Sequence, residues 1–191
     1  IHSSPFDLSI IPKRLEFLPE PIHYEDIDLA FEVLQSYKHI LKKHRDAAIL
    51  ALLCYEGIKT NELINLRWTD FLLLREVGSI NIKSDRKRII HLSAISTKIM
   101  SLHKQTTEKK LTPPLTTDRC IFISFRGKEQ TYTSEQMTRH GLKHLLSELG
   151  KKIGINTLNA ELLRHFAIRY QLHLGKTQEE IMSHLGLRRS G

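Results

Sequence analysis

Residues 43–92 read KHRDAAILALLCYEGIKTNELINLRWTDFLLLREVGSINIKSDRKRIIHL, and the change of texture inside them decides the fold. The first part, Lys43 to Glu56, is apolar nearly all round, with Ala47, Ala48, Ile49, Leu50, Ala51, Leu52, Leu53 and Cys54 in one run. A helix that is apolar on every face belongs in the centre of a domain. Gly57 ends it, and Thr60 can cap a short helix through Leu66. The period then shortens. Gly78–Lys83 and Arg86–Leu92 read as two β-strands joined by a turn at Ser84-Asp85, with Phe71–Leu74 a third strand beside them.

Outward from this stretch the period is helical again. Ile27, Leu29, Ala30, Val33 and Leu34 mark a helix over Tyr24–Tyr37, and Ile95, Ile99, Met100 and Leu102 another from Ser93 to about Thr107. Residues 108–119 form a polar loop, and Cys120–Phe125 reads as a short strand. Ser134–Leu149 reads as an amphipathic helix ending at Gly150. Asn159 caps a helix through about Leu174 that Gly175 stops, and Thr177-Gln-Glu-Glu180 is a capping box opening a last helix. Residues 1–22 carry Pro5, Pro12, Pro19 and Pro21 without helical period, which predicts an extended linker or N-terminal arm. The domain proper is 23–191. The fold class is α+β, mainly α: a helical bundle with a small antiparallel sheet.

Composition narrows the function classes. With 40% hydrophobic residues in 191 the chain builds a core, which excludes a disordered basic tail. No apolar run approaches the roughly 20 residues of a membrane span, which excludes an integral membrane protein of that type. The first ten residues lack the pattern of a signal peptide and the chain lacks an initiator Met, so a piece of a longer protein is expected. Cys54 and Cys120 sit in apolar runs and read as reduced core residues of a cytoplasmic protein. Lys and Arg number 29 against 21 Asp and Glu, a net charge of +8, and this suggests a polyanionic partner, nucleic acid first.

The order of motifs resembles the catalytic domain of the tyrosine recombinases, the phage integrase and Xer-type family. Gly57-Ile-Lys-Thr-Asn-Glu-Leu63 with Leu66-Arg-Trp-Thr-Asp70 is similar to the family's G-L-R-x-S-E-L…L-x-W-x-D. Ile80–Leu92 resembles its β-hairpin, Ile121–Gly127 its "lF…G" turn, and Glu161-Leu-Leu-Arg-His-Phe-Ala167 its H-x-L-R-H-x-x-A. Ile181–Gly186 resembles I-x-x-x-L-G, and Pro12-Lys-Arg-Leu the linker after the N-terminal core-binding domain.

The resemblance implies chemistry on DNA. A tyrosine attacks a phosphodiester, two arginines clamp the non-bridging oxygens, and a hairpin lysine protonates the leaving oxygen. Carried over by position, Arg164 falls on the second arginine, Lys83 on the hairpin lysine with Lys87 an alternative, and His165 on a supporting histidine. Three positions depart. Lys59 stands at the first arginine, Glu161 at the histidine three residues before Arg164, and Leu187 where a His or Trp follows Leu-Gly. The nucleophile falls beyond Gly191, and none of Tyr24, Tyr37, Tyr55, Tyr132 and Tyr170 occupies its slot. Lysine offers a point charge where a planar fork is wanted, so a degenerate site is expected, with no cofactor and no metal.

The expected function is a DNA-binding domain of a recombinase that is inactive or dependent on a partner, nucleoid-associated and without contact with membrane. Two rivals stand beside it: an active, divergent recombinase with its tyrosine further on, and a helical regulator or adaptor that kept only the fold. The partner is double-stranded DNA, with a second recombinase subunit or another copy engaged through the C-terminal segment. Lys42, Lys43, Arg45, Arg86, Lys87, Arg88, Arg139 and Lys143 are the expected phosphate contacts. His140 and His144 are spaced i,i+4 but have no third ligand, so a basic surface is the better reading than a metal site. Trp68 is read as core. Finally, a salt bridge from Glu161 to Lys59 or Arg164 is expected to replace the phosphate clamp.

Overall fold

The computed structural model describes residues 21–110, 118–126 and 131–187. Helix α2 (Ile40–Cys54) is the axis of the domain, with every residue from His44 to Cys54 buried. Helices α1 (Tyr24–Gln35), α4 (Ala94–Lys110) and α6 (Ala160–His173) pack around it, and α5 (Arg139–Ile153) packs on α1. The short α3 (Thr60–Ile64) and a 3-10 turn at Trp68–Asp70 lead into the sheet. Trp68 is buried, as expected, against Phe71 and His103.

The three-stranded sheet runs β1 (Phe71–Leu74), β2 (Val77–Ile82) and β3 (Arg88–His91), all antiparallel, with Ile80 opposite both Phe71 and Ile90. Those three side chains and Ile82 lie on the buried face, and Leu72, Leu74, Val77 and Ile89 lie exposed. The expected strand at Cys120–Phe125 starts three residues further on, as β4 (Ile123–Arg126), while Cys120 makes a single bridge to Arg67. Helix α7 (Gln178–Leu185) closes the domain over β3 and α6, opened by the expected capping box at Thr177 and Glu180.

Four local readings are corrected. Ser134–Gln136 is strand, the end of β5 (Thr131–Gln136) paired with β4, because the Gln136 amide ties it to the Ile64 carbonyl and Asn65 Oδ1. Thr138 caps α5 instead, accepting from the Gly141 N–H at 3.0 Å. The helix runs through Gly150, where a Cβ would stand 2.3 Å from the Ile155 carbonyl oxygen, and turns at Gly154 with φ 80°. Glycine at 150 serves close approach; glycine at 154 serves the left-handed turn. The N-cap of α3 is Lys59, one residue before the expected Thr60. Of the expected linker, residues 1–20 lie outside the described residues; Ile22 is buried and its carbonyl accepts from Arg169.

Candidate functional site

The turn after α2 builds the site. Gly57 has φ 62°, and a Cβ there would meet Leu185 Cδ2 at 2.2 Å. Only glycine lets the chain double back beneath α7. Lys59 then starts α3, and Glu62 three residues on accepts the Lys59 N–H at 3.2 Å, the carboxylate half of a capping box. Glu62, 6% exposed, also accepts two parallel bonds of 2.8 Å from Arg88 on β3 and one of 3.0 Å from Ser84. Burial alone would raise the Glu62 carboxyl, but the Arg88 fork, the Lys59 N–H and Ser84 together hold it below the usual carboxylate range.

Arg164 projects from α6 toward the same place. Asn159 holds the start of that helix, its Oδ1 accepting the Leu162 N–H at 2.9 Å. Lys59, Thr60 and Ile58 from the α3 turn and Ala160, Glu161 and Arg164 from α6 line a pocket of about 210 Å³. Burial and the nearby Arg164, Arg88 and Arg86 lower the Lys59 ammonium from its ordinary value, against the pull of Glu62. Burial and Arg88 likewise lower Arg164. The pocket therefore holds crowded, partly desolvated cations, an arrangement that favours an anion.

The expected salt bridge is not formed: among the described residues Glu161 makes no ion pair with Lys59 or Arg164. Glu161 is exposed in the first turn of α6, where the helix N-terminus stabilises a carboxylate without a partner. The cations turn to backbone instead. Arg164 donates to the Leu185 carbonyl at 2.9 Å, Lys59 to that of Gly186 at 3.4 Å, and Arg86 to Gly186 at 3.3 Å.

Residues 28–187 match the phage integrase family. The chain belongs to that family. This integrase-family chain is 24% identical over 196 residues to tyrosine recombinase XerC of Staphylococcus carnosus (strain TM300) and 23% over 193 residues to XerC of Staphylococcus epidermidis. Each match covers 98% of this chain and 61% of the relative's length. Its fold is that of XerA recombinase, with TM-score 0.69 and 24% identity over 92% of this chain and 57% of that one. The XerH site-specific recombinase bound to its difH substrate superposes with TM-score 0.67 and 19% identity over 91% of this chain and 48% of that one.

Only some of the expected residues gather at the integrase-family pocket. Lys59, Glu161 and Arg164 meet in it, and Arg86 reaches the same α7 carbonyl as Lys59. Lys83 pairs with the buried carboxylate of Asp70 at 2.5 Å, and Lys87 is exposed. His165 is half-buried and Leu187 exposed; neither lines the pocket. Lys42, Lys43, Arg139 and Lys143 lie at the starts of α2 and α5, with Lys42 over the Tyr37 ring at 5.2 Å.

Two expected phosphate contacts face inward. Arg45 is 5% exposed, bonded to Asp46 at 2.6 Å and to the Ile123 carbonyl at 2.7 Å, with its guanidinium over Phe125. It ties β4 to α2. Arg88 is taken up by Glu62 and by the His184 carbonyl at 2.8 Å. Among the described residues no three His, Cys, Asp or Glu side chains gather as for a metal, and no helix is long and apolar enough to cross a membrane.

Sequence reasoning passed over Glu62, Asp70 and the buried pair of Glu56 with His184, 3.2 Å apart, which fastens α7 to the end of α2. Glu62 carried a signal, standing three residues after a helix start. The carbonyls of His184, Leu185 and Gly186 carried none.

Proposed function

We propose that this domain binds duplex DNA by holding one backbone phosphate between Lys59 and Arg164, in a protein of DNA recombination or integration. The observation that carries the reading is the pocket in which these two cations from separate elements converge on a phage-integrase fold. Lys87, Arg139 and Lys143 add exposed charge for further phosphates, and Lys42 and Lys43 add half-buried charge at the start of α2. The DNA-bound recombinases that share the fold support the reading by analogy.

The pocket is disarmed for strand cleavage by its own residues. An anion-stabilising donor removed from such a site raises a barrier by roughly 3–4 kcal/mol. Here Lys59 replaces a fork by a point charge, Glu161 brings a carboxylate to the rim, and Leu187 donates nothing from its side chain. Of the tyrosines whose side chains are described, Tyr24, Tyr37, Tyr55 and Tyr170, none lines the pocket. With Lys59, Glu161 and Leu187 at these positions, cleavage depends on a partner subunit, engaged through the C-terminal segment, or does not occur. The working location that follows is the nucleoid, in the cytoplasm.

A nicked suicide duplex tests the reading, since an active site traps a covalent protein–DNA adduct. None is expected, either with this chain or with a form extended along its gene. In the extended form, Lys59→Arg, Glu161→His and Leu187→His together are expected to recover cleavage. An adduct with the unaltered residues would show an active enzyme and overturn the disarmed reading.

A further inference from the structure

Four cations lie against the last turn of α7 and its cap. Arg88 Nε donates to the His184 carbonyl at 2.8 Å, Arg164 to Leu185 at 2.9 Å, and Arg86 and Lys59 to Gly186 at 3.3 and 3.4 Å. These four cations come from three parts of the chain and converge on three successive oxygens. Carbonyls at a helix C-terminus lack intrahelical partners and form the negative end of the helix dipole. Arg88 also has the Glu62 carboxylate. Among the described residues Lys59, Arg86 and Arg164 have hydrogen bonds to α7 and no ion pair.

Helix α7 is also lightly held. It buries Ile181 and Leu185, where α2 buries twelve residues, and it lies between Gly175 at φ 77° and Gly186 at φ 60°. An added Cβ at Gly175 would meet nothing within 4 Å, so the chain is not packed at that end of α7. The buried Glu56–His184 pair also ties α7 to the end of α2.

We propose that the carbonyl end of α7 is an internal counter-anion for the pocket's cations, and that a DNA phosphate entering the pocket competes with it and loosens α7. The inference rests on the phosphate-binding reading above. A phosphate carries a full charge and offers bidentate acceptors, so it outcompetes a carbonyl for Arg164 and Lys59. Once bound it stands beside the partial negative charge of the helix end and repels it. The order runs from long bonds to short: Lys59 leaves Gly186 first, then Arg164 leaves Leu185. Occupancy of the pocket is thereby reported to the last turn of α7 and its Gly186 cap. Arg88 stays with Glu62 throughout.

Amide hydrogen exchange on the whole chain, free and saturated with a short duplex at low salt, tests this. The amides of Ile181–Leu187 are expected to exchange about threefold faster or more in the complex, while those of α2 stay unchanged. Ile181→Ala, which weakens the docking of α7, is expected to bind the duplex about threefold more tightly. Unchanged or slowed exchange in α7 within a formed complex would overturn the inference and leave the binding site standing. Weaker binding by an Ile181→Ala protein whose α2 protection matches wild type would overturn it too, and if that variant does not fold, exchange in the wild type decides. Absence of duplex binding at low salt would remove the inference together with the reading beneath it.

Discussion

Arg88 and Glu62 face each other through two parallel hydrogen bonds of 2.8 Å, and this pair joins the β-hairpin to the start of α3. It is largely buried, with side-chain exposures of 10% and 3%. Replacing both charges by apolar groups can be nearly neutral, but removing one partner strands the other. Glu62→Gln or Arg88→Ala is therefore expected to lower stability by about 3–5 kcal/mol. Urea unfolding of each variant checks it. A loss below about 1 kcal/mol would place the pair in the weak class of surface ion pairs.

The β1–β2 turn gives an expectation of the opposite sign. Arg75 and Glu76 have φ of 46° and 69°, and they are the two non-glycine residues with positive φ among those described. Two-residue hairpin turns of this hand prefer Asn-Gly, because left-handed backbone strains other L residues by about 1–2 kcal/mol each. Arg75→Asn with Glu76→Gly is expected to raise stability by about 1 kcal/mol after the entropy of glycine is counted. The urea midpoint should rise with an unchanged slope. A fall would mean that the Arg75 or Glu76 side chain holds the turn by a contact of its own.

How much was legible in the chain follows from which forces leave a local mark. The all-apolar run of α2, the alternation of Phe71–Ile90 and the caps at Asn159 and Thr177 are local patterns, and each became the expected element. Ser134–Gln136 has helical composition yet pairs with Ile123–Arg126, because a ladder partner outweighs a weak propensity. Arg45 and Arg88 stood in basic runs that read as surface. Their carboxylate partners, Asp46 and Glu62, decide otherwise, and only the second lies far enough away to need the fold. Lys59 and Arg164 were placed in the site by motif order. Their hydrogen bonds were not, since the acceptors are backbone carbonyls that any sequence carries.

A pH effect comes from His103 in α4. It is buried, its Nε2 lies 3.2 Å from the Ile121 carbonyl, and its ring stacks on Phe122. Burial pushes its pKa down from 6.5 to about 3. The folded state thus stays neutral there while the unfolded chain takes up a proton, so stability is full above pH 6.5 and falls as pH drops toward 3. Between pH 6.5 and 5 the loss from this one group is roughly 1–2 kcal/mol. His103→Gln, which can still donate to Ile121, is expected to be less stable at pH 7 but flatter over that range. Equal slopes in wild type and variant would show that His103 does not govern the acid limb.

Glu161 sets the balance at the mouth of the pocket. A phosphate between Lys59 and Arg164 would face its exposed carboxylate, and two like charges about 4 Å apart repel by roughly 1–4 kcal/mol depending on exposure. Exposure places Glu161 at the low end, so Glu161→Gln is expected to raise duplex affinity about fivefold. Arg164→Ala removes a charge-assisted donor and should lower affinity about tenfold or more. Fluorescence anisotropy with a labelled duplex reads both. Opposite signs would place the phosphate elsewhere.

The dependence of duplex affinity on salt counts the phosphates that the protein neutralises. Each phosphate neutralised contributes roughly −0.9 to the slope of log K against log [salt]. The wild-type chain is expected to show a steep slope. Lys59→Ala with Arg164→Ala should make it shallower by about 0.9, one phosphate's worth, alongside a lower affinity. Binding that ignores salt, or a double variant with the affinity and slope of the wild type, would contradict a DNA phosphate held in this pocket.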